Sequence, residues 1–186
     1  MWKLIAKIIF AISGWSVNWD YPRHVHKAVM IGAPHTSNWD IVYALSALHI
    51  MGIPIRFTIK KEWMKPPIGI LLKALGAIPI DRQSKGFRKG SMVDAMAQLF
   101  DERERLVIMV TPEGTRKHAK RWRSGFYHVA NQANVPIILG YLDYKKKEAG
   151  IRPEPFYPTG DAEQDIERIK EFYRTIHAKF PEKGVY

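Results

Sequence analysis

Short apolar runs alternate with longer helical patterns along most of the chain. The apolar runs, typical of buried strands, occupy residues 28–31, 55–59, 77–80, 106–110 and 136–142. Apolar residues recur at helical spacing within residues 40–51, 92–100, 126–133 and 166–180. Strands that alternate with helices favour a parallel sheet, because each helix returns the chain to the edge where the next strand starts. We therefore predict a single α/β domain with a mostly parallel twisted sheet flanked by helices.

The N-terminal segment, residues 1–14, predicts an amphipathic helix. Its apolar stripe, which has Lys3 and Lys7 near its edge, consists of Leu4, Ile5, Ile8, Ile9 and Ile12. Three of the six tryptophans lie at positions 2, 15 and 19, and tryptophan favours the membrane–water interface. The segment is too short to span a bilayer. Two interpretations stay open: the helix lies in a membrane surface, or it caps the protein's own core. We assign residues 1–20 to a membrane-surface segment and residues 21–186 to the folded domain.

The chain is basic and folded. Its 186 residues include 29 Lys and Arg against 18 Asp and Glu, a formal charge of +11, while 46% hydrophobic content is too high for a disordered basic tail. This charge favours nucleic acid, an anionic membrane or small phosphorylated ligands. The chain contains no cysteine, which excludes a thiol nucleophile, a disulfide framework and a cysteine-based zinc site.

The positive charge is concentrated in one segment. Residues 56–89 contain nine basic and two acidic side chains, interleaved with Trp63, Ile68, Ile70 and other apolar residues. The pattern is typical of a surface that contacts anionic lipid head groups, and the alternative is a solvated basic face around a core helix. A second basic cluster, residues 116–123, is placed to meet the phosphates of a membrane or of an acyl donor.

The first candidate chemistry is the pair His35 and Asp40, between a predicted strand and a predicted helix. Thr36, Ser37 and Asn38 are possible N-caps, so His35 falls in the turn and Asp40 in the first helical turn, within reach of its ring. A carboxylate that accepts from one ring nitrogen leaves the other free to act as a base. The alternative is that His35 caps the turn and Asp40 only favours the helix N-terminus. The other histidines show no metal-ligand spacing, and we predict no metal site.

Two further blocks end predicted strands with an arginine. Residues 76–82 end in Asp81-Arg82, and residues 110–116 end in Glu113-Gly114-Thr115-Arg116. Arginine and backbone amides beyond strand ends suit phosphate binding, and the alternative is an ordinary turn at each place.

Taken in order, these blocks resemble a known family. The order H-x-x-x-x-D, G-x-x-x-I-D-R, P-E-G-T-R and a V-P-I-I strand at residues 135–138 resembles the four-block signature of the glycerolipid acyltransferases, whose best-known members are the lysophosphatidic acid acyltransferases. Within that family the chain is similar to a short bacterial branch with A-P-H-T-S-N-W-D in the first block and G-Y-L-D-Y after the fourth. The resemblance spans about residues 30–142.

The resemblance implies a reaction and a set of site residues. His35 would be the general base and Asp40 would orient it, while a lysophospholipid hydroxyl attacks acyl-CoA or acyl carrier protein directly, with no cofactor. The residues implied to hold the acceptor head group are Arg82, Glu113, Gly114, Thr115 and Arg116. Gly140 stands where the family commonly has proline, and Thr111 where an aromatic is usual. These departures fit an acceptor other than simple lysophosphatidic acid, such as a lyso-ornithine lipid.

Two rival functions lack their signatures. A basic nucleic-acid-binding protein would account for the charge, but the sequence has no RNA-recognition aromatic motif, zinc-finger spacing or helix-turn-helix pattern. A serine hydrolase would need a G-x-S-x-G elbow, which is absent. We therefore expect a lipid acceptor, a thioester donor and an anionic membrane surface as partners, and no nucleic acid. We expect a peripheral or monotopic protein at the cytoplasmic face of the membrane.

Overall fold

The computed structural model of the chain describes residues 2–74, 76–80 and 91–185. In these residues the strands are β1 (Ser16–Val17), β2 (Lys27–Gly32), β3 (Ile55–Lys60), β4 (Ala77–Ile80), β5 (Leu106–Val110), β6 (Ile137–Asp143) and β7 (Glu148–Ile151). The α-helices are α1 (Trp2–Ser13), α2 (Trp39–Met51), α3 (Ile68–Ala74), α4 (Ser91–Asp101), α5 (Gly125–Gln132) and α6 (Ala162–Arg174). Short 3-10 turns occupy Lys61–Met64 and Pro181–Lys183.

The strands form one sheet in the order β1-β7-β6-β2-β5-β3-β4. Every pair of neighbours is parallel except β6 and β7. Strand β2 is central, with Met30 opposite Met109 of β5 and Ile138 of β6. The predicted α/β fold with a mostly parallel sheet is confirmed, and the chain leaving β2 emerges in the middle of the carboxyl edge, where such folds place their sites.

Alternate residues of β2 point to opposite faces of the sheet and pack into two separate hydrophobic cores. Val29 and Ile31 face a core shared with α4, α5 and α6, whereas Ala28 and Met30 face α2. Helices therefore cover both faces of the sheet. This burial explains why the central strands are nearly continuous apolar runs rather than alternating ones.

Three local features differ from the prediction. Strands β1 and β7 were not predicted, because they are only 2 and 4 residues long and carry polar residues. Helix α3, which follows directly after Pro66-Pro67, was not predicted. The last helix ends at Arg174, not near residue 180, because the chain then turns and the Phe180 N–H donates to Thr36 Oγ1 at 3.4 Å.

Helix α1 combines features of both predicted roles. Its Ala6 and Phe10 are buried in a cluster with Trp15, Ala47 and Ile50, so the helix does cap the core through one face. Most of the predicted apolar stripe points away from that cluster, with Leu4 64% and Ile12 84% exposed, whereas Ile9 packs against the cluster. No described helix is long and apolar enough to cross a bilayer. The division at residue 20 stays a prediction; in the structure, β1 pairs with Glu148 and Ala149 of β7.

Candidate active site

The turn between β2 and α2 carries the predicted pair of residues. His35 lies in this turn, and its Nδ1 is 3.1 Å from Oδ2 of Asp40 in the first turn of α2. Asn38 precedes the helix without a side-chain capping bond, while Ser37 Oγ accepts from the Trp39 N–H at 3.2 Å. The structure thus brings His35 and Asp40 together in the predicted arrangement.

Asp40 is held by four hydrogen bonds. Besides the His35 ring, Oδ2 accepts from the N–H groups of Thr36 and Ser37, both at 2.8 Å. Oδ1 accepts from the Tyr144 hydroxyl at 2.6 Å. Burial alone would raise the pKa of Asp40, but hydrogen bonds from His35, Tyr144 and the two amides more than offset it, and the pKa lies below its ordinary value. An ionised Asp40 can only accept, so we assign the proton of the neutral His35 ring to Nδ1, which leaves Nε2 as an acceptor.

Glu113 of the third block supports the same turn from the other side. Its side chain is buried, with the residue 8% exposed, and Oε1 accepts from the His35 backbone N–H at 3.0 Å. Oε2 is also buried and has no hydrogen-bond partner among the described residues. Burial raises the pKa of Glu113, and the hydrogen bond from His35 only partly opposes this rise. The predicted contact of Glu113 with an acceptor head group stays a prediction.

The rest of the third block forms an exposed loop beside the turn. Gly114 has a φ of +62°, a backbone conformation that favours glycine over residues with a side chain. Thr115 Oγ1 accepts from the Lys117 N–H at 3.2 Å. Arg116 donates to Oδ1 of Asn38, which lies three residues after His35. This bond places the Arg116 guanidinium at the start of α2. Arg82 lies outside the described residues.

An apolar pocket, whose volume of about 610 Å³ includes space open to solvent, lies beside His35 and Asp40, between α2 and the sheet. Its apolar wall includes Met30, Ala44, Leu48, Met109, Leu142 and Ile151. Three glycines, Gly32, Gly140 and Gly150, also line it. A Cβ at Gly140 would lie 3.2 Å from the Ile31 carbonyl oxygen, so this position has little room for a side chain. The cavity can accept a flexible apolar chain whose polar end reaches His35.

Sequence reasoning did not assign Tyr144 to the site. The G-Y-L-D-Y segment drew attention to residues 140–144, but nothing in its spacing pointed to Asp40, 104 residues away. Among the described residues, no cluster of three or more His, Asp or Glu side chains is arranged to hold a metal ion.

Comparison with known proteins agrees with the four-block pattern. The family model named Acyltransferase matches residues 17–139. The crystal structure of the 1-acyl-sn-glycerophosphate acyltransferase PlsC from Thermotoga maritima is similar in fold, with a TM-score of 0.60 and 17% identity over 96% of this chain and 80% of that one. No curated protein sequence matches the chain. Since the family model covers well over half of the chain and includes His35, Asp40 and Glu113, the chain belongs to the acyltransferase family and is an acyltransferase.

Proposed function

We propose that this enzyme transfers a fatty acyl group from a thioester, acyl-CoA or acyl carrier protein, to the hydroxyl of a lysophospholipid-type acceptor. The observation that carries the proposal is the position of the hydrogen-bonded His35–Asp40 pair beside an apolar pocket that is partly open to solvent. A base beside an apolar pocket suits a reaction between a polar hydroxyl and the carbonyl end of a long hydrocarbon chain.

His35 is the proposed general base. Its Nε2 takes the proton of the acceptor hydroxyl as the oxygen attacks the thioester carbonyl carbon. The tetrahedral intermediate collapses, the carbon–sulfur bond breaks, and the leaving thiolate takes the proton from His35. The products are an ester and a free thiol. Asp40 keeps the ring in the tautomer this cycle needs and stabilises the transient positive charge on it.

Direct transfer is consistent with the composition of the chain. A route through an enzyme-bound thioester needs a cysteine, and the sequence contains none. In the proposed reaction the acyl chain passes directly from donor to acceptor within one complex, with its hydrocarbon part in the apolar cavity.

The acceptor head group is proposed to bind beside the third block. Arg116 is exposed at the start of α2, where its guanidinium suits a phosphate or another anionic group. Arg82, Glu113, Gly114 and Thr115 remain the other candidates. The PlsC of Thermotoga maritima is named for 1-acyl-sn-glycerophosphate, and for the present enzyme this acceptor and a lysolipid without a glycerophosphate, such as a lyso-ornithine lipid, are both included in the proposal.

An anionic membrane surface is the proposed location, on its cytoplasmic face. Three exposed apolar groups support this: Leu4, Ile8 and Ile12 on the outer face of α1, Trp39 and Ile41 beside Asp40, and Ile68 and Ile70 of α3. Exposed Lys65 and Lys73 flank the α3 group, which combines apolar and basic side chains as interfacial helices do. A protein bound in this way can take a lysolipid from the bilayer without carrying it through water.

The test is a panel of substrates whose products are identified by mass spectrometry. The protein is incubated with lysophosphatidic acid, other lysophospholipids and lyso-ornithine lipid, each with acyl-CoA or acyl carrier protein. The proposal predicts one acceptor that gains an acyl chain, with release of the free thiol. Absence of any acylated product from a folded protein would contradict it, and binding of RNA or DNA without binding to liposomes would favour the nucleic-acid alternative.

A further inference from the structure

We propose that Tyr144 is a positioning residue of the transfer reaction, which acts on His35 through Asp40. The inference rests on the proposed function, because it assigns a part in the same proton transfer. It starts from the 2.6 Å hydrogen bond that the Tyr144 hydroxyl donates to Oδ1 of Asp40.

The two oxygens of Asp40 have different partners. Oδ2 accepts from the His35 ring and from two backbone N–H groups, while Tyr144 is the partner of Oδ1 within the described part of the chain. Rotation about the Cβ–Cγ bond of Asp40 would move both oxygens together, so each hydrogen bond to either oxygen resists it. The bond to Tyr144 fixes the second oxygen, and so keeps Oδ2 directed at Nδ1 of His35.

Tyr144 itself is held in place on two sides. Its ring packs edge-on against Trp15 at a centroid distance of 4.9 Å and against Tyr43 at 6.1 Å. Its backbone N–H donates to the His177 carbonyl at 2.9 Å. Burial and the bond to Asp40 raise the pKa of the Tyr144 hydroxyl, so it keeps its proton and remains a donor at neutral pH.

The bond also affects how tightly the His35–Asp40 pair holds a proton. By donating to Oδ1, Tyr144 takes up part of the negative charge of Asp40. Without the hydroxyl, only the two backbone N–H groups share that charge with the His35 ring, and the protonated pair becomes more stable. The pair would then take up its proton at higher pH, which inactivates the base and moves the acid limb of the pH–rate profile upward.

The experiment compares Tyr144→Phe with Tyr127→Phe. The control removes the hydroxyl of the buried Tyr127, which donates to Asp165 at 2.8 Å between α5 and α6, away from the site. For Tyr144→Phe we expect kcat to fall about ten-fold and the acid limb to rise by about half a pH unit or more. For Tyr127→Phe we expect a lower melting temperature, whereas kcat and the acid limb of the pH–rate profile should equal those of the parent enzyme.

A second measurement does not depend on turnover. Proton uptake by the pair is followed by NMR from the His35 ring signal, assigned by its loss in His35→Gln, and its midpoint should rise in Tyr144→Phe but not in Tyr127→Phe. A folded Tyr144→Phe protein whose NMR midpoint and acid limb match those of the parent overturns the proposal, whatever happens to kcat. If the parent makes no acylated product, the proposed function fails while the NMR titration still tests the role of Tyr144.

Discussion

The backbone N–H of His35 donates a 3.0 Å hydrogen bond to Oε1 of Glu113, which lies 78 residues further along the chain. This bond joins the third block to the turn that carries the proposed base. It forms because β2 and β5 are neighbours in register, with Ile31 opposite Val110, so that the segments following both strands meet at one edge. The geometry gives Glu113 a part in holding the turn, alongside any contact it makes with an acceptor.

Replacing Glu113 by Gln tests the state of this buried carboxyl. Burial raises its pKa above the usual 4.5, so the folded protein binds the proton more tightly than the unfolded chain does. Its contribution to stability is therefore complete below pH 4.5 and is lost as the pH rises through the raised pKa. Glutamine does not titrate, so we expect the melting temperature of Glu113→Gln to rise relative to that of the parent as the pH increases from 4.5 through the raised pKa.

The control for this titration is Glu104→Gln, which removes the same charge from an exposed position. A melting-temperature difference for Glu113→Gln that does not change with pH would contradict a raised pKa. The same variant separates two roles: a higher acceptor KM supports contact with the head group, whereas an effect on kcat alone supports the contact with His35.

Asp40→Asn should reduce kcat by about 10²- to 10⁴-fold. The amide of asparagine has only one oxygen to accept from the donors that now bind the two carboxylate oxygens. It also carries no charge to stabilise a protonated His35. Asp165→Asn is the matched control, since Asp165 is a fully buried carboxylate that also accepts from a tyrosine and a backbone N–H. Steady-state kinetics should show a fall in kcat for Asp40→Asn alone, with both proteins folded. An equal fall for both variants would attribute the effect to lost stability.

Ala44→Leu tests whether the acyl chain occupies the apolar cavity. Ala44 lines the cavity from α2. A leucine at this position fills space that would otherwise hold about three methylenes of the acyl chain, each of which contributes about 0.8 kcal/mol when buried. For the longest chain that the parent accepts, kcat/KM should fall by about 50-fold, and the preferred chain should become shorter. Ala95→Leu on α4, which does not line the cavity, is the control. An unchanged chain-length preference in Ala44→Leu would place the acyl chain elsewhere.

The outer face of α1 is the proposed membrane contact. Replacing Ile8 and Ile12 by glutamine removes two exposed apolar side chains and no charge, so binding to vesicles that contain phosphatidylglycerol should weaken about ten-fold or more in a sedimentation assay. Tyr157→Gln changes an exposed apolar residue elsewhere and serves as the control. Unchanged vesicle binding by the double variant would transfer the contact to the basic face around α3.

The sequence was most informative where function depends on local spacing. The His35–Asp40 contact could be predicted because the N-cap candidates fixed where α2 begins, and both residues lie within one turn of that point. The central strands were equally clear, since burial on both faces requires continuous apolar runs. The place of Arg116 beside Asn38 could not be predicted, because it depends on how the loop after β5 folds back.

Contacts that depend on topology were not predictable. Tyr144 reaches Asp40 only because β6 lies beside β2 and the chain turns after Asp143, so no local pattern connects the two residues. The outward direction of the α1 stripe is another example. Periodicity identified an apolar stripe, but only the structure shows that Ala6 and Phe10 pack on the core, while Leu4, Ile8 and Ile12 lie outside.

If His35 is the general base of an acyl transfer to a hydroxyl, turnover must fall sharply in His35→Ala. The rate at which the acylated product forms is measured by mass spectrometry for this variant and for the parent. Matching circular dichroism spectra and melting temperatures first show that both proteins are folded. The account predicts a fall in kcat of about 10²-fold or more. A folded His35→Ala enzyme whose kcat remains within about ten-fold of that of the parent would contradict it.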